Sequence, residues 1–373
     1  MPWNEVSIMD QRLEFVVLAS GEGRNISALC RRFGISRQTG YKWLGRYCGN
    51  EEDLADRSRR PLSHPTRTPS GLEAAILAVR DEHPAWGARK IRRCLERDGI
   101  APPAASTVHA ILERHGRIVP GARVTRHYKR FEKPAANLMW QMDFKGRMRM
   151  RTGSWCHPLT VLDDHSRYAL CLQACENERG RTVKPLLEMT FRRYGLPEAF
   201  YLDNGSPWGG GVPGHWTPLG VWLLRLGIEV IHSRPYHPQG RGKIERFHRS
   251  LKAEVFEQRP FANLAQAQRR FDQWRTTYNI ERPHQALDLD VPASRYQPSH
   301  RDMPETLPQV EYSSEDIVRK VGTTKAYISF KNRLWKVPQA FRDHRVAIRP
   351  RKRDGLYGVF FGATQIATID LKA

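Results

Sequence analysis

The feature that most constrains the fold is a change of pattern near residue 137, where helical periodicity gives way to short apolar strands alternating with amphipathic helices. The predicted strands span 138–148, 157–164, 168–174, 199–203 and 228–232, and the predicted helices span 181–194, 218–226 and 242–252. Three successive strands are typical of an antiparallel meander. The order βββ-α-β-α-β-α then predicts a mixed sheet flanked by helices, with functional groups at strand ends and helix starts.

Three acidic residues stand out against this pattern. Asp143 lies inside a hydrophobic strand, and Asp203 ends another core strand just before a turn at 204–208. Glu245 is in the first turn of the helix that follows residue 241, on the surface stripe next to its core face. The predicted core face of that helix consists of Ile244, Phe247 and Leu251. An isolated buried carboxylate is costly, so we expect the three acids to share a purpose.

Converging carboxylates repel one another, and a bound cation makes them tolerable. Ligation by oxygen alone favours Mg²⁺ or Mn²⁺. Two such ions per active site can activate a water or hydroxyl and stabilise the leaving oxygen, which is sufficient for phosphodiester transfer without a nucleophilic side chain. Taken singly, each acid is more simply interpreted as a helix cap or a surface ion pair. The prediction of a metal site at Asp143, Asp203 and Glu245 depends on the three together.

Asp163 and Asp164 are rival acids of second rank. Asp164 ends a predicted strand, where turn capping by Ser166 and an ion pair with Arg167 would explain it. For a phosphodiester substrate such as DNA, His237 and His248 are candidates for contact with the substrate or a leaving group, although hydrogen bonding or packing is the simpler interpretation of each. Basic residues flank Glu245 and are expected to hold backbone phosphates: Lys243, Arg246, Arg249 and Lys252.

The first 47 residues predict three helices, of which the last two form a helix-turn-helix. Predicted caps are Ser27 and Ser36, with Gly34 as a left-handed stop; predicted inward residues are Leu29, Phe33, Tyr41 and Leu44. An ordinary pair of packed helices is the alternative. A recognition helix presents its N-terminal side chains to the major groove, so the expected DNA contacts are Arg37, Gln38 and Lys42.

A linker rich in proline and arginine follows at 57–70, and a second helical module follows the linker. The arginines of this linker, Arg57, Arg59 and Arg60, are expected to lie in a minor groove, with a solvated tether as an equal alternative. In the second module, Ser106 is a predicted cap, and Ile91 and Leu95 form the inner face of a basic helix. Its predicted DNA contacts are Arg89 and Lys90. Arg92 and Arg93 are further basic residues on the same helix.

The C-terminal region predicts a linker at 292–308 and then five short strands. These strands are expected at 327–330, 334–337, 346–348, 357–361 and 365–369, with a hairpin turn at Asp354-Gly355. Five short strands in about seventy residues are typical of a small barrel. Its basic loop at 349–353 is expected to face a partner.

Charge and cysteine content limit the class of protein. The net charge of +22 divides into +9, +7 and +6 over residues 1–130, 131–300 and 301–373, so every part is basic and a polyanion such as DNA is the expected partner. The six cysteines show no C-x-x-C pair and are interpreted as reduced core thiols. We find no leader or membrane-spanning pattern and expect a soluble protein of the bacterial cytoplasm, associated with the nucleoid.

The three acids and several phrases resemble the DDE triad of the insertion-sequence transposase and retroviral-integrase superfamily. The phrases are TVLDDHSR (160–167), LDNGS (202–206), RPYHPQG (234–240), YN (278–279) and RPHQAL (282–287). Forty-one residues separate Asp203 from Glu245, more than the thirty-five that are commoner in the family, and the flexible stretch 209–214 can hold the excess. The chain lacks the His-His-Cys-Cys zinc module that precedes the core in retroviral integrases, which favours a bacterial transposase.

The resemblance implies a multidomain α/β protein with a ribonuclease-H-like catalytic core. The domains expected are a helix-turn-helix domain (1–56), the basic linker (57–70), a second helix-turn-helix or winged-helix-like domain (71–130), the core (131–297), and a linker with a small C-terminal β-barrel (298–373). It also implies binding of terminal inverted repeats, 3′-end cleavage, and strand transfer to target DNA by a homo-oligomer of at least two chains. A regulator with an inactive core and a nuclease that never joins ends remain as alternatives.

Overall fold

The computed structural model describes residues 7–58, 67–118, 132–209, 215–233, 238–257 and 260–372. The chain divides into two compact units, Met1–Arg67 and Thr68–Ala373. Among the described residues, no helix is both long and apolar enough to cross a membrane. All six cysteines are free; Cys48 is exposed and Cys94 half-buried, so only the other four lie in a core.

The described part of the first unit, residues 7–58 and 67, contains the helices α1 (Ile8–Ala19), α2 (Ile26–Arg32) and α3 (Arg37–Leu44), followed by a short 3₁₀ turn. Its core consists of Phe15, Val16, Ala19, Cys30, Trp43 and Leu54. The predicted helix-turn-helix is therefore present.

Details of this domain confirm some predictions and correct others. The Ser36 side chain caps α3 by accepting from Thr39 N, and Gly34 has the left-handed φ of 66°. The prediction that Ser27 caps α2 is wrong, because the cap is Asn25, whose side chain accepts from Ala28 N. Tyr41, predicted to face inward, is 53% exposed; Trp43 fills the core instead.

The second unit begins with three helices, α4 (Ser70–Glu82), α5 (Ala88–Arg97) and α6 (Ala105–Arg114). They bury Ile76, Trp86, Ile91, Leu95, Val108, Ile111 and Leu112 together, which confirms the predicted inner face of α5. Ser106 is not a cap: α6 begins after Ala104, and no side chain bonds its first amides.

Helix α5 contacts the segment 281–290 of the same unit. Arg93 pairs with Asp290 at 2.9 Å, and Arg97 donates to the Glu281 carbonyl at 2.8 Å. Lys90, Arg93 and Arg97 are spaced so that they share one face of the helix. This basic face is therefore directed at the rest of the second unit.

A six-stranded mixed sheet forms the centre of the second unit. Its strands are β1 (Trp140–Phe144), β2 (Met148–Arg149), β3 (Trp155–Asp163), β4 (Ala169–Cys175), β5 (Ala199–Leu202) and β6 (Glu229–His232). The order is β2-β3-β1-β5-β6, and β4 also pairs with β3. The predicted antiparallel meander is confirmed for β1, β3 and β4, whereas β5 runs parallel to both β1 and β6.

Helices cover both faces of this sheet, as the alternating pattern predicts. They are α7 (Gly180–Tyr194), α8 (Pro218–Arg225), α9 (Gly242–Leu251) and α10 (Leu264–Thr276). One apolar cluster packs α7 and α8 on the sheet, and a second packs α9 and α10 on it. Helices α9 and α10 each continue as a π-helical turn, at Lys252–Phe256 and Thr277–Glu281.

The segment 292–308, predicted to be a linker, is packed against the sheet domain. The Arg301 guanidinium donates to the carbonyls of Pro197 at 2.7 Å and Gly227 at 2.9 Å, and Tyr296 stacks on Tyr168 with ring centroids 4.3 Å apart. The prolines correctly indicated that this segment contains no α-helix or β-strand, and it has only a 3₁₀ turn at Pro292–Ser294. They did not indicate a free tether.

The C-terminal part is all-β, with six strands rather than the five predicted. They are β7 (Ile317–Lys320), β8 (Tyr327–Phe330), β9 (Arg333–Lys336), β10 (Arg345–Pro350), β11 (Leu356–Phe361) and β12 (Thr364–Asp370). Strands pair as an antiparallel sheet β12-β11-β10-β7 and a separate β8-β9 hairpin, so closure into a barrel is not seen among the described strands. Gly355 turns the chain between β10 and β11 with φ of 81°, as predicted.

Candidate active site

Two of the predicted acids meet at one edge of the central sheet. Asp143 lies near the end of β1, and Asp203 is the first residue after β5. Because β1 and β5 are parallel neighbours with Trp140 opposite Phe200, their carboxyl ends reach the same edge. The Arg241 guanidinium touches both carboxylates, with Nη2 2.5 Å from Asp143 Oδ2 and Nη1 3.4 Å from Asp203 Oδ2.

The Asp143 carboxyl is largely enclosed. Burial raises its pKa to about 6, with nearby Asp203 adding to the rise and Arg241 opposing it. His248 Nδ1 is 3.8 Å from Asp143 Oδ2, and its other ring nitrogen lies 2.8 Å from the Thr160 hydroxyl. That hydroxyl donates to the main-chain carbonyl of Asp143, which fixes the strand end. Burial lowers the pKa of His248 to about 3, so the ring is neutral.

Asp203 is oriented by the turn that follows it. Gly205 N donates to Asp203 Oδ1 at 3.0 Å, and the indole N–H of Trp208 donates to the same oxygen. Trp208 is buried and stacks on Phe144 with ring centroids 5.5 Å apart, which ties the turn to β1. The turn thus leaves the second oxygen, Oδ2, directed at Arg241.

Gly209 permits this turn to close. A Cβ there would overlap the main chain of Asn204, at 2.7 Å from its carbonyl carbon. We expect Gly209→Ala to displace Trp208, loosen Asp203 and lower by about tenfold the rate of the DNA cleavage that the sequence resemblance implies, with a stability loss of about 1–3 kcal/mol. Single-turnover cleavage and thermal unfolding would measure both.

The matched control for that substitution is Gly71→Ala, because a Cβ at Gly71 meets nothing within 4 Å. It should leave the rate unchanged and the melting temperature equal or slightly higher, because alanine favours the helix that contains residue 71. An unaltered cleavage rate in Gly209→Ala would contradict the role of the turn.

The start of α9 is fastened to the sheet beside these carboxylates. Gln141 on β1 donates from Nε2 to the Gly240 carbonyl at 3.2 Å and accepts from Ile244 N at 3.3 Å. Lys243 Nζ lies 2.5 Å from Asp164 Oδ1, a carboxylate with no exposed surface. These bonds place the residues between them, including Arg241, over the edge of the sheet.

Glu245 does not join the two aspartates in this structure. It is exposed in the first turn of α9 and has no ion-pair or hydrogen-bond partner among the described residues. Within the same described part of the chain, no three His, Cys, Asp or Glu side chains are grouped so that they could hold a metal ion. The structure therefore brings together Asp143 and Asp203, and the complete triad stays a prediction.

The rival acids have partners of their own. Asp163 accepts from Asn137 N at 2.8 Å and from both the amide and the hydroxyl of Ser166 at 2.7 Å. Burial raises its pKa, against the hydrogen bonds from Ser166. The predicted partners of Asp164 are wrong: Ser166 donates to Asp163 instead, and Asp164 pairs with Lys243 rather than Arg167. Arg167 pairs with Glu132 at 2.7 Å.

The predicted DNA contacts are mostly exposed. Exposed members described by the structure are Arg37, Gln38, Lys42, Arg57, Arg89, Arg246, Arg249 and Lys252. Lys243 is engaged by Asp164, and Lys90 is half-buried, where desolvation and the nearby Arg282 lower its pKa to about 7. Arg59, Arg60 and His237 lie outside the described residues.

Sequence reasoning missed Arg241, Gln141 and Trp208. Gln141 had a signal, since an uncharged polar side chain inside a hydrophobic strand needs a partner. Trp208 lay in the turn already noted after Asp203. No sequence signal pointed to Arg241, because nothing in the sequence distinguishes it from the other lysines and arginines, which number 61 in all.

Several parts of the chain match models of known protein families. Residues 133–238 and 226–292 match the family described as integrase core domain. Residues 316–373 match the C-terminal domain of the IS481 family of transposases. Residues 11–61 match a helix-turn-helix domain, and residues 39–112 match a homeodomain-like domain.

Two of the similar proteins come from bacterial insertion elements. The uncharacterized 31.7 kDa protein of insertion element IS407 from Burkholderia multivorans is 26% identical over 242 residues, which cover 62% of this chain and 82% of that protein. The uncharacterized 39.2 kDa protein of IS476 from Xanthomonas euvesicatoria is 27% identical over 252 residues, covering 64% and 69%. A solved HTLV-2 integrase catalytic core domain, in complex with magnesium, is 14% identical, covers 44% of this chain and 99% of its own, and has a TM-score of 0.34.

These matches define the class: the second unit carries an integrase core domain. Within that class, residues 316–373 and the two bacterial relatives connect the chain with insertion-sequence transposases, so the resemblance to that group is confirmed. An integrase core implies polynucleotidyl transferase activity of the DDE type, and the helix-turn-helix matches imply DNA binding.

Proposed function

We propose that this chain is a transposase that binds the terminal inverted repeats of a mobile element, cleaves the DNA at the 3′ ends, and joins the 3′ hydroxyls to target DNA. The observation that carries the proposal is the pairing of Asp143 and Asp203 at one sheet edge around a single cationic group. Two carboxylates held this close in a partly buried place need a positive charge between them.

The catalytic metal site is proposed at Asp143, Asp203 and Glu245, with two Mg²⁺ or Mn²⁺ ions. Carboxylate oxygens suit these ions, and the guanidinium between the aspartates marks a place where a cation fits. When bound, the ions would activate the attacking oxygen and stabilise charge on the phosphate and the leaving oxygen. Glu245 stands one helical turn after Arg241, and we propose that it reaches the site from α9.

The chain's own basic residues would position the DNA. Arg246, Arg249 and Lys252 are exposed beside Glu245 and are proposed to hold phosphates of the bound end. End recognition is assigned to Arg37, Gln38 and Lys42 on α3, with Arg57, Arg59, Arg60 and Arg89 as further contacts. Lys90, also predicted from the sequence, is half-buried on the inward face of α5 and is not included. Because two ends must be brought together, the active form is proposed to be at least a dimer.

Strand transfer by a pre-cleaved end tests the proposal directly. A duplex oligonucleotide with the element's terminal repeat and a free 3′ hydroxyl, incubated with plasmid and Mg²⁺, should give covalently joined products that EDTA abolishes. Binding without any cleavage or joining would favour a regulator with an inactive core. Nicked plasmid without joined ends would favour a nuclease.

The recognition helix offers a second test. Arg37 is exposed in the first turn of α3. We expect Arg37→Ala to weaken binding of the terminal repeat by about tenfold and to relax base preference there, because one good base contact is worth about 1–3 kcal/mol. A binding titration against repeat and scrambled DNA would measure this.

Arg24→Ala is the matched control for that experiment, because Arg24 is exposed just before α2 and lies off the recognition helix. It should keep the preference for repeat over scrambled DNA. Equal discrimination in Arg37→Ala and the unaltered protein would remove Arg37 from the reading surface.

A further inference from the structure

Arg241 occupies the space between the two paired carboxylates. One guanidinium nitrogen contacts Asp143 and the other contacts Asp203, at 2.5 and 3.4 Å. The side chains of all three residues are largely shielded, with exposed fractions of 21% for Arg241, 16% for Asp143 and 33% for Asp203. A planar guanidinium with a fork of donors matches two carboxylate oxygens better than an ammonium does. It acts here as the counter-charge of the pair.

The backbone on both sides of Arg241 is fixed. The preceding residue, Gly240, accepts from Gln141, and the residue after next, Lys243, is tied to Asp164. Gly240 also packs so closely on the Tyr201 ring that a Cβ there would lie 2.8 Å from Cζ. With its main chain held, Arg241 can leave the carboxylates only by rotation of its own side chain. Such rotation is a local change that costs no rearrangement of the sheet.

We propose that Arg241 is a placeholder for the metal, neutralising Asp143 and Asp203 until a divalent cation enters and yielding its position to that cation. This rests on the proposed function, since it requires metal binding at the paired aspartates. A guanidinium and a divalent ion compete for the same oxygens, so each weakens the binding of the other. Arg241 thereby keeps the two carboxylates together when no metal is bound. It also makes the affinity of the site for a divalent cation lower than the affinity of the same two carboxylates without the guanidinium.

The displaced side chain would stay near the reacting DNA. Arg241 lies one helical turn before Glu245, and its spacing puts it on the same side of α9 as Lys252, one of the exposed residues proposed to hold phosphates. Rotation away from the carboxylates therefore moves its charge towards the proposed path of the DNA. Metal entry and phosphate binding are coupled through this one side chain.

Metal titration of Arg241→Gln tests the proposal without reference to activity. Calorimetric titration with Mn²⁺ should show binding about tenfold tighter than in the unaltered protein, a coupling of ordinary size. In EDTA the variant should melt at a lower temperature, because the two carboxylates then repel each other. At saturating Mn²⁺ that difference in melting temperature should disappear.

Two further variants complete the experiment. Arg269→Gln, which removes one exposed charge from α10, should match the unaltered protein in both measurements. Arg241→Lys keeps the charge without the fork and should give an intermediate affinity for Mn²⁺; it serves for the comparison if Arg241→Gln does not fold. Unchanged or weaker Mn²⁺ binding in Arg241→Gln, or an equal melting deficit with and without Mn²⁺, overturns the placeholder role. Absence of Mn²⁺ binding in every variant counts against the metal site itself, and so against the proposed function.

Discussion

Replacement of Asp203 by asparagine is expected to abolish both strand cleavage and strand transfer while leaving end binding intact. Asp203 lies at the sheet edge, one-third exposed, with Oδ2 directed at the space it shares with Asp143. An amide cannot supply the charge that a divalent cation needs there. Loss of one such ligand removes about 4 kcal/mol of transition-state stabilisation, a factor of about a thousand in rate.

The measurement is single-turnover cleavage of a labelled terminal-repeat duplex, with binding of the same duplex followed in parallel. Melting temperature should change little, because the Gly205 and Trp208 donors can still bond the carbonyl oxygen of an asparagine. Asp302→Asn is the matched control, since Asp302 is exposed outside the sheet edge. Persistent cleavage in Asp203→Asn would remove Asp203 from the catalytic groups.

Much of the fold of the central sheet domain was predictable, because the periodicity of its sequence follows from burial of apolar side chains against the sheet. Short apolar runs and amphipathic stretches alternate, and burial on a two-faced sheet is the arrangement that satisfies both. The meeting of Asp143 with Asp203 was less accessible, because the sequence gives no strand order. It depends on β5 inserting beside β1, a pairing between residues sixty positions apart.

The failures also have physical causes. Asn25 and Ser27 are both good caps, and only the dihedral angles of the chain decide between them. β7 was missed because its four residues are mostly exposed and pair only through their main chain with β10. Arg241 could not be found because its role is set by Gln141 and Gly240, which fix the main chain around it.

For the acidic residues too, the sequence pattern does not reveal which contacts each side chain makes in the fold. Asp163 and Asp203 both follow apolar runs. From the sequence alone, only the resemblance to the DDE triad favours Asp203 over Asp163 as a catalytic residue. In the structure Asp163 is fully buried and receives three hydrogen bonds from Asn137 and Ser166, whereas Asp203 is open to the site edge. The Asp163 carboxylate therefore stabilises the fold, and the Asp203 carboxylate is available for chemistry.

Asp163→Ala is therefore expected to lower the stability of the protein, rather than to abolish its activity while the fold stays intact. Removal of the carboxylate leaves the Asn137 amide and both Ser166 donors without their acceptor in a buried place, at about 1–3 kcal/mol for each unsatisfied group. The expected total of about 4 kcal/mol corresponds to a fall in melting temperature of about 10 °C for a domain of this size. Thermal unfolding followed by tryptophan fluorescence would measure it.

Comparison of the two aspartate variants decides which acid belongs to the site. If Asp163→Ala loses stability and Asp203→Asn loses only activity, burial and hydrogen bonding separate the structural acid from the catalytic one. If Asp163→Ala instead keeps its melting temperature and loses cleavage, then its hydrogen bonds contribute little to the fold. In that case Asp163 would have to be placed among the groups that act on DNA, and Asp203 alone could no longer define the partner of Asp143.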